Sequence, residues 1–119
     1  LDRIMSGSLW ANYNKERLGW DCIEVEGAGV LYTIRPPCAS IEDIYVEPEH
    51  RKSNLALSLA NRVSAIAKEK GCTELLTQVW VGAVGSERAV RVNIAYGFKM
   101  IGADGGRILF RKDLGGQHG

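Results

Sequence analysis

The residues best placed to do chemistry stand together just before a long helical run. His50-Arg51-Lys52 is a basic cluster, followed directly by Ser53-Asn54-Leu55-Ala56. The first N–H groups of a helix have no partner inside it, so they point outward and favour an anion. Arg51 and Lys52 add positive charge at that end. Asn54 is one of the few non-glycine residue types that tolerate a left-handed backbone. The chemistry such a stretch can offer is the holding of a phosphate. The plainer alternative is an ordinary helix start with a serine cap and a solvated basic pair, and charge and capping alone favour it. Cys38 is the other residue with reactive potential. A single cysteine beside a proline pair is more often a packed or exposed bystander, and only His50 and His118 could assist it. His118 falls in a Gly-rich tail, residues 115–119, expected to be disordered.

These residues need elements to position them. Ile41 to Val46 reads as an apolar strand, closed by the turn Glu47-Pro48-Glu49. Leu55, Leu59, Val63, Ile66 and Ala67 recur at spacings of three and four, which lays one apolar stripe along a helix. Gly71 stands where such a helix should stop. Glu74 to Val81 reads as a second strand. A strand, a helix-length crossover and a strand imply two parallel strands joined with right-handed sense.

The rest of the chain supplies a frame for that unit. Trp20 to Glu26 and Val30 to Arg35 form an expected hairpin about Gly27-Ala28-Gly29, and Pro36-Pro37 ends it because proline cannot continue a ladder. After Val81, Ser86 is expected as an N-cap and Glu87 to Ala95 as a short helix packing through Ala89 and Val92. Tyr96 to Ile101 and Arg107 to Lys112 read as a last hairpin, turning at Gly102 to Gly106. Before Gly19, the apolar residues Ile4, Leu9, Trp10, Tyr13 and Leu18 suit one amphipathic helix, or two broken near Gly7. The expected fold class is an α/β layered domain: a mixed, mostly antiparallel sheet with helices on both faces.

Composition narrows the function. The 119 residues suffice for one domain, read as 1–119, with a modest core. A formal net charge of +1 argues against nucleic acid as the main partner. No apolar run approaches membrane-spanning length, and no signal-peptide pattern opens the sequence. Cys22, Cys38 and Cys72 are isolated and odd in number, which speaks against a disulfide framework and for a reducing, cytoplasmic setting.

The stretch from Ile41 onward resembles the acyl-CoA-binding core of the GNAT superfamily of acyl-CoA-dependent N-acyltransferases. That pattern is a strand ending in Val, a Pro-containing turn, then Arg/Gln-x-x-Gly-x-Gly/Ala and a long helix. Here it stands as Val46, Pro48 and Arg51-Lys52-Ser53-Asn54-Leu55-Ala56, with Asn54 in place of the first glycine. A Gly-Phe pair closes the next helix in the family, and Gly97-Phe98 stand here with Ala89 at the usual alanine position. The resemblance covers about residues 22 to 114. It also implies that Leu1 to Gly19 is a shortened form of a longer N-terminal part that helps build the acceptor site.

The resemblance implies a fold, a donor and a site. The donor would be acetyl-CoA and the acceptor an amine, with no metal, and with neither nucleic acid nor membrane as partner; a homodimer is left open. Arg51, Lys52 and the amides from Ser53 to Ala56, including those of Asn54 and Leu55, would hold the pyrophosphate. The backbone of Ile44, Tyr45 and Val46 would meet the pantetheine and the acyl carbonyl. Acyl transfer needs a base, an oxyanion stabiliser and a proton for the leaving thiolate. Glu42 is the favoured base and Asp43 the reserve; Ser40 stands where some members carry a glutamate. The parity that would put Ser40 and Glu42 on one face is made unreliable by a bulge common there in the family. Ser86 replaces a CoA-contacting asparagine. Asn93 replaces the tyrosine that often serves as acid; an amide is no proton donor, so Asn93, like Ser86, is expected as a CoA-binding residue. Tyr96 lies three residues further on, about 300 degrees round a helix, and is the substitute candidate, with a packing role as the alternative. The leading reading is a small GNAT-fold N-acetyltransferase. The others are a GNAT-fold module without chemistry, and an α/β domain whose helix start holds a different phosphate.

Overall fold

The computed structural model describes residues 8–115. Ile4, Gly7 and His118, and most of the expected tail, lie outside the described residues. The element order is α1 (Leu9–Leu18), β1 (Asp21–Val25), β2 (Ala28–Arg35), β3 (Cys38–Val46), a 3-10 turn (Pro48–His50), α2 (Leu55–Glu69), β4 (Glu74–Trp80), α3 (Ser86–Tyr96), β5 (Lys99–Asp104) and β6 (Arg107–Asp113). The strands make one six-stranded sheet in the order β1-β2-β3-β4-β6-β5. Every neighbouring pair is antiparallel except β3 and β4, which are parallel. The expected α/β class and mixed sheet are therefore found. No described helix is long and apolar enough to cross a membrane.

The core forms where α2 lies on the sheet. Leu59, Val63 and Ala67 from the helical stripe are buried against Val30, Tyr32, Ala39, Ile41, Leu75 and Phe110. Each large side chain so buried contributes about 1.5–3 kcal/mol relative to exposure. Lys70 caps α2 after Glu69, and Gly71 follows at φ 91, the left-handed stop that glycine makes without strain. α3 lies on the same face, tied to α2 through Tyr96. α1 covers the other face. Ala28, Val30 and Tyr32 point towards α2, so Gly29 points away, and a Cβ there would sit 3.5 Å from the Trp10 ring.

α1 is one helix, capped by the Ser8 hydroxyl, which accepts from the Ala11 amide at 2.9 Å. Its expected amphipathic burial is not what the fold uses. Leu9, Trp10, Tyr13 and Leu18 are exposed, and the buried residue is Asn14, which donates to the Trp10 carbonyl at 2.9 Å.

Several boundaries differ from the sequence expectations. Ala28 and Gly29 belong to β2, so the first hairpin turns on Glu26 and Gly27 alone. Pro36 and Pro37, joined by a cis peptide, make a two-residue turn rather than a break, and β3 begins at Cys38 instead of Ile41. Tyr96 ends α3 rather than opening a strand, because Gly97 at φ 109 stops the helix one residue later. β5 accordingly runs from Lys99 to Asp104, and the last turn shrinks to Gly105-Gly106. Ser86 lies inside α3. The N-cap is Gly85 at φ 83, and the Ser86 hydroxyl donates to the Val81 carbonyl at 3.0 Å. α3 packs through Ala89, Val90 and Tyr96, while Val92 is exposed.

Candidate active site

The site begins where β3 and β4 part. They pair only at Cys38↔Glu74, Ala39↔Leu75 and Ser40↔Leu76. The Thr77 hydroxyl adds one bridge, donating to the Ile41 carbonyl at 3.2 Å. Past that point β3 runs on to Val46 and β4 to Trp80 without pairing to each other. The β4-facing edge of Ile44, Tyr45 and Val46 is thus open, while their other edge is held by β2 at Val30, Gly29 and Ala28. An open strand edge offers backbone N–H and C=O groups to an extended ligand.

Glu42 occupies a bulge. Leu31 pairs with Asp43 and Tyr32 with Ile41, so Glu42 is the extra residue. The bulge reverses the alternation. Ala39 and Ile41 face the core before it, Ile44 and Val46 after it, and Ser40, Asp43 and Tyr45 take the other face. The Glu42 carboxylate accepts from the Thr33 hydroxyl at 3.3 Å. Desolvation raises the Asp43 carboxyl above its ordinary value, and the Ile44 amide opposes this by donating to the charged form. Glu42 and Asp43 stand on β3 just past its last pairing with β4, and the Glu42 carboxylate is held by Thr33 on β2, the strand away from the open edge. Sequence could not separate their roles, because parity fails at a bulge.

The loop between β3 and α2 is shaped by close packing. The Glu47 amide donates to the Gly27 carbonyl at 2.8 Å, and a Cβ on Gly27 would lie 2.6 Å from the His50 ring. His50 therefore turns inward onto the first hairpin instead of adding to an outward cluster, and its Nδ1 is buried without a hydrogen-bond partner. Arg51 folds back on the strand. Its Nε donates to the Val46 carbonyl at 2.8 Å, and its guanidinium lies 5.7 Å from the centre of the Tyr45 ring. Lys52, Ser53 and Asn54 are exposed. Asn54 has φ −95, so the left-handed backbone its residue type allows is not used. The Ser53 hydroxyl donates to the His50 carbonyl and accepts the Leu55 amide weakly at 3.4 Å. Among the described residues no hydrogen bond takes the amides of Asn54 or Ala56. Unpartnered amides at the start of a fifteen-residue helix, with Lys52 beside them, suit an anionic group.

α3 presents Ser86, Ala89, Val90, Asn93 and Tyr96 on its inward stripe. Tyr96 does not reach the open edge. Its hydroxyl donates to the Asn61 side chain of α2 and lies 3.3 Å from the Ser64 hydroxyl. The Lys112 ammonium sits 3.5 Å from the centre of its ring and donates to the Tyr96 carbonyl at 2.8 Å. Cys38 is also removed from this region, at the opposite end of β3 from His50. Burial first, then a hydrogen bond to Glu74 and that residue's charge, raise its thiol pKa and keep it from being a ready nucleophile. Thr33 and Thr77 were invisible as site-shaping residues in the sequence, and Gly27 was legible only as part of a turn.

The chain is thus a layered α/β domain whose two parallel strands part beside a helix start with free amides. Residues 5–98 match the sequence model of the Acetyltransferase (GNAT) family, and the chain belongs to that family. Among solved structures, a GNAT-family protein from Desulfovibrio desulfuricans matches with a TM-score of 0.71 at 16% identity, covering 87% of this chain and 76% of that one. The PaiA N-acetyltransferase of Thermoplasma acidophilum, solved in complex with coenzyme A, matches with a TM-score of 0.70 at 18% identity, covering 88% and 68%. An acetyltransferase from Bacillus cereus matches with a TM-score of 0.64 at 18% identity, covering 94% and 97%. At these identities the likeness is one of fold. No curated protein matches the sequence.

Proposed function

We propose that this chain is a cytoplasmic N-acetyltransferase that moves an acetyl group from acetyl-CoA to an amine. The observation that carries this reading is the parting of β3 and β4 after Ser40↔Leu76, beside the unpartnered amides of Asn54 and Ala56. Lys52 and the unpartnered amides of Asn54 and Ala56 hold the pyrophosphate, while the Ser53 amide stays on the His50 carbonyl and Arg51 on the Val46 carbonyl. The open edge of Ile44, Tyr45 and Val46 receives the pantetheine amides, and its N–H groups stabilise the oxyanion that develops at the acyl carbonyl. Acetyl-CoA supplies the activated acyl group. Glu42, directly or through a water, takes the proton from the attacking amine. The new C–N bond forms as the C–S bond breaks, and the thiolate leaves without a side-chain acid. We assign Tyr96 to packing, because its hydroxyl is engaged by α2.

A second reading has specific support. Asn93 stands where the family often carries a tyrosine acid, and Tyr96 faces away from the open edge. A module that binds CoA without chemistry fits both observations. Two measurements are made in turn, the first for CoA binding, which both readings expect, and the second for chemistry. Acetyl-CoA should raise the melting temperature, since a ligand of the folded state at about 100 times its Kd adds about 2.7 kcal/mol. Asn54→Pro, which removes one of the free amides, should abolish that rise while leaving the unliganded protein folded. CoA release with a panel of amines then decides between enzyme and module, and turnover by the wild type discards the module.

A further inference from the structure

The two edges of the sheet are treated differently. β1 is half-buried along most of its length and α1 packs beside it. β5, at the other edge, is exposed at every one of its six residues. It contains no proline, and Met100 and Ile101 are 55% and 51% exposed. Ile94 of α3 lies about 160 degrees round the helix from Tyr96, away from α2, and is 55% exposed. An open edge with large apolar side chains is a surface built to be covered.

The sequence of β5 says what covers it. Lys-Met-Ile-Gly-Ala-Asp is complementary to itself when reversed. If Ile101 stands opposite Gly102 of an antiparallel copy, then Met100 faces Ala103, and Lys99 faces Asp104 at both ends. Glycine leaves room for the isoleucine, and opposite charges directly across an antiparallel pair are favourable. Lys99 makes no ion pair among the described residues, and Asp104 holds only Arg107, at 3.2 Å. We propose that β5 is a self-docking edge: two copies of this chain join β5 to β5 about a two-fold axis, Lys99 of each meeting the partner's Asp104. Such an isologous contact closes on itself and leaves no further edge of this kind. The bulge at Ile101 bends the strand, which keeps the shared ladder short. The apolar side chains of Met100 and Ile101 therefore carry the association, and the charges fix its register.

Sedimentation of the wild type over micromolar to submillimolar concentrations should give twice the chain mass of 13.0 kDa at the upper end. Ile101→Glu should return the single-chain mass with an unchanged circular dichroism spectrum, since the residue is exposed. Lys99→Glu should weaken the dimer about tenfold by placing like charges opposite each other. Adding Asp104→Lys to Lys99→Glu should restore it, which no general loss of folding can do. A wild type that stays at the single-chain mass overturns the proposal. So does a dimer that survives Ile101→Glu, or a charge reversal that the second substitution fails to rescue.

Discussion

The hydroxyl of Tyr96, the last residue of α3, donates to the side chain of Asn61 in the middle of α2. This bond joins the two helices on one face of the sheet, and the Lys112 ammonium closes the other side of the ring. Burial, and then the charge of Lys68, lower the Lys112 pKa. A tyrosine so held is a fastener between elements rather than a proton donor at the open strand edge. Tyr96→Phe should therefore cost about 1 kcal/mol of stability or less, the usual worth of one partly exposed hydrogen bond. Denaturant unfolding measures that loss. Turnover should change less than about twofold, well short of the about 10²-fold effect of removing a general acid. A loss of that larger size would return Tyr96 to the chemistry.

Gly27 should be intolerant of a side chain. Its φ of 87 is in the region that favours glycine, and an added Cβ would strike the His50 ring at 2.6 Å. Gly27→Ala is expected to destabilise by about 1–3 kcal/mol. It should also weaken CoA binding, because moving His50 moves the loop that carries Arg51 and Lys52. Titration calorimetry with CoA, done below the lowered melting temperature, tests the second effect. Unchanged affinity would show that the loop does not depend on this contact.

Local signals were enough to read α2. Its stripe, its Gly71 stop and the crossover to β4 all follow from spacing over a few residues. What sequence did not disclose depends on pairing between distant segments. The start of β3 at Cys38 depends on Arg35 closing a two-residue proline turn with it. The Glu42 bulge depends on the register against Leu31 and Tyr32. Tyr96 sits in a run, Tyr-Gly-Phe-Lys-Met-Ile, whose aromatic and branched residues read as strand. The helix that precedes it continues until Gly97 can stop it. The candidate phosphate loop was legible as residues. Its geometry was not, since Arg51 folds back to Val46 and His50 turns inward.

Asn93 is the position that distinguishes an enzyme from a binding module. It lies on the inward stripe of α3, and its backbone carbonyl accepts the Phe98 amide at 2.9 Å, so the helix end does not depend on its side chain. Asn93→Tyr should therefore fold. If the wild type turns over, this variant should raise the rate, or leave it unchanged while altering the basic limb of the pH profile, as an added acid would. If the wild type releases no CoA with any amine, the variant should be equally silent while CoA binding persists. Parallel CoA-release assays on both proteins give the answer.

The two carboxylates at the bulge can be told apart by pH. Glu42→Gln should lower kcat by about 10²-fold or more if Glu42 is the general base, and Asp43→Asn should then cost only a few-fold. Asp43 has a separate signature. Desolvation raises its carboxyl above the ordinary 3.8, so the folded state holds that proton more tightly than the unfolded chain does. As pH rises from the unfolded value through the folded one, the folded protein must give up the proton at a cost, and stability falls. Asp43→Asn removes that cost. It should raise the melting temperature relative to wild type at pH 7, and lose this advantage below about pH 3.8, where Asp43 is protonated in both states. Thermal unfolding of the two proteins across this range tests the sign. Should Asp43→Asn instead abolish turnover while Glu42→Gln spares it, the raised carboxyl is the base, and the acid limb of the activity profile will lie above the ordinary carboxylate range.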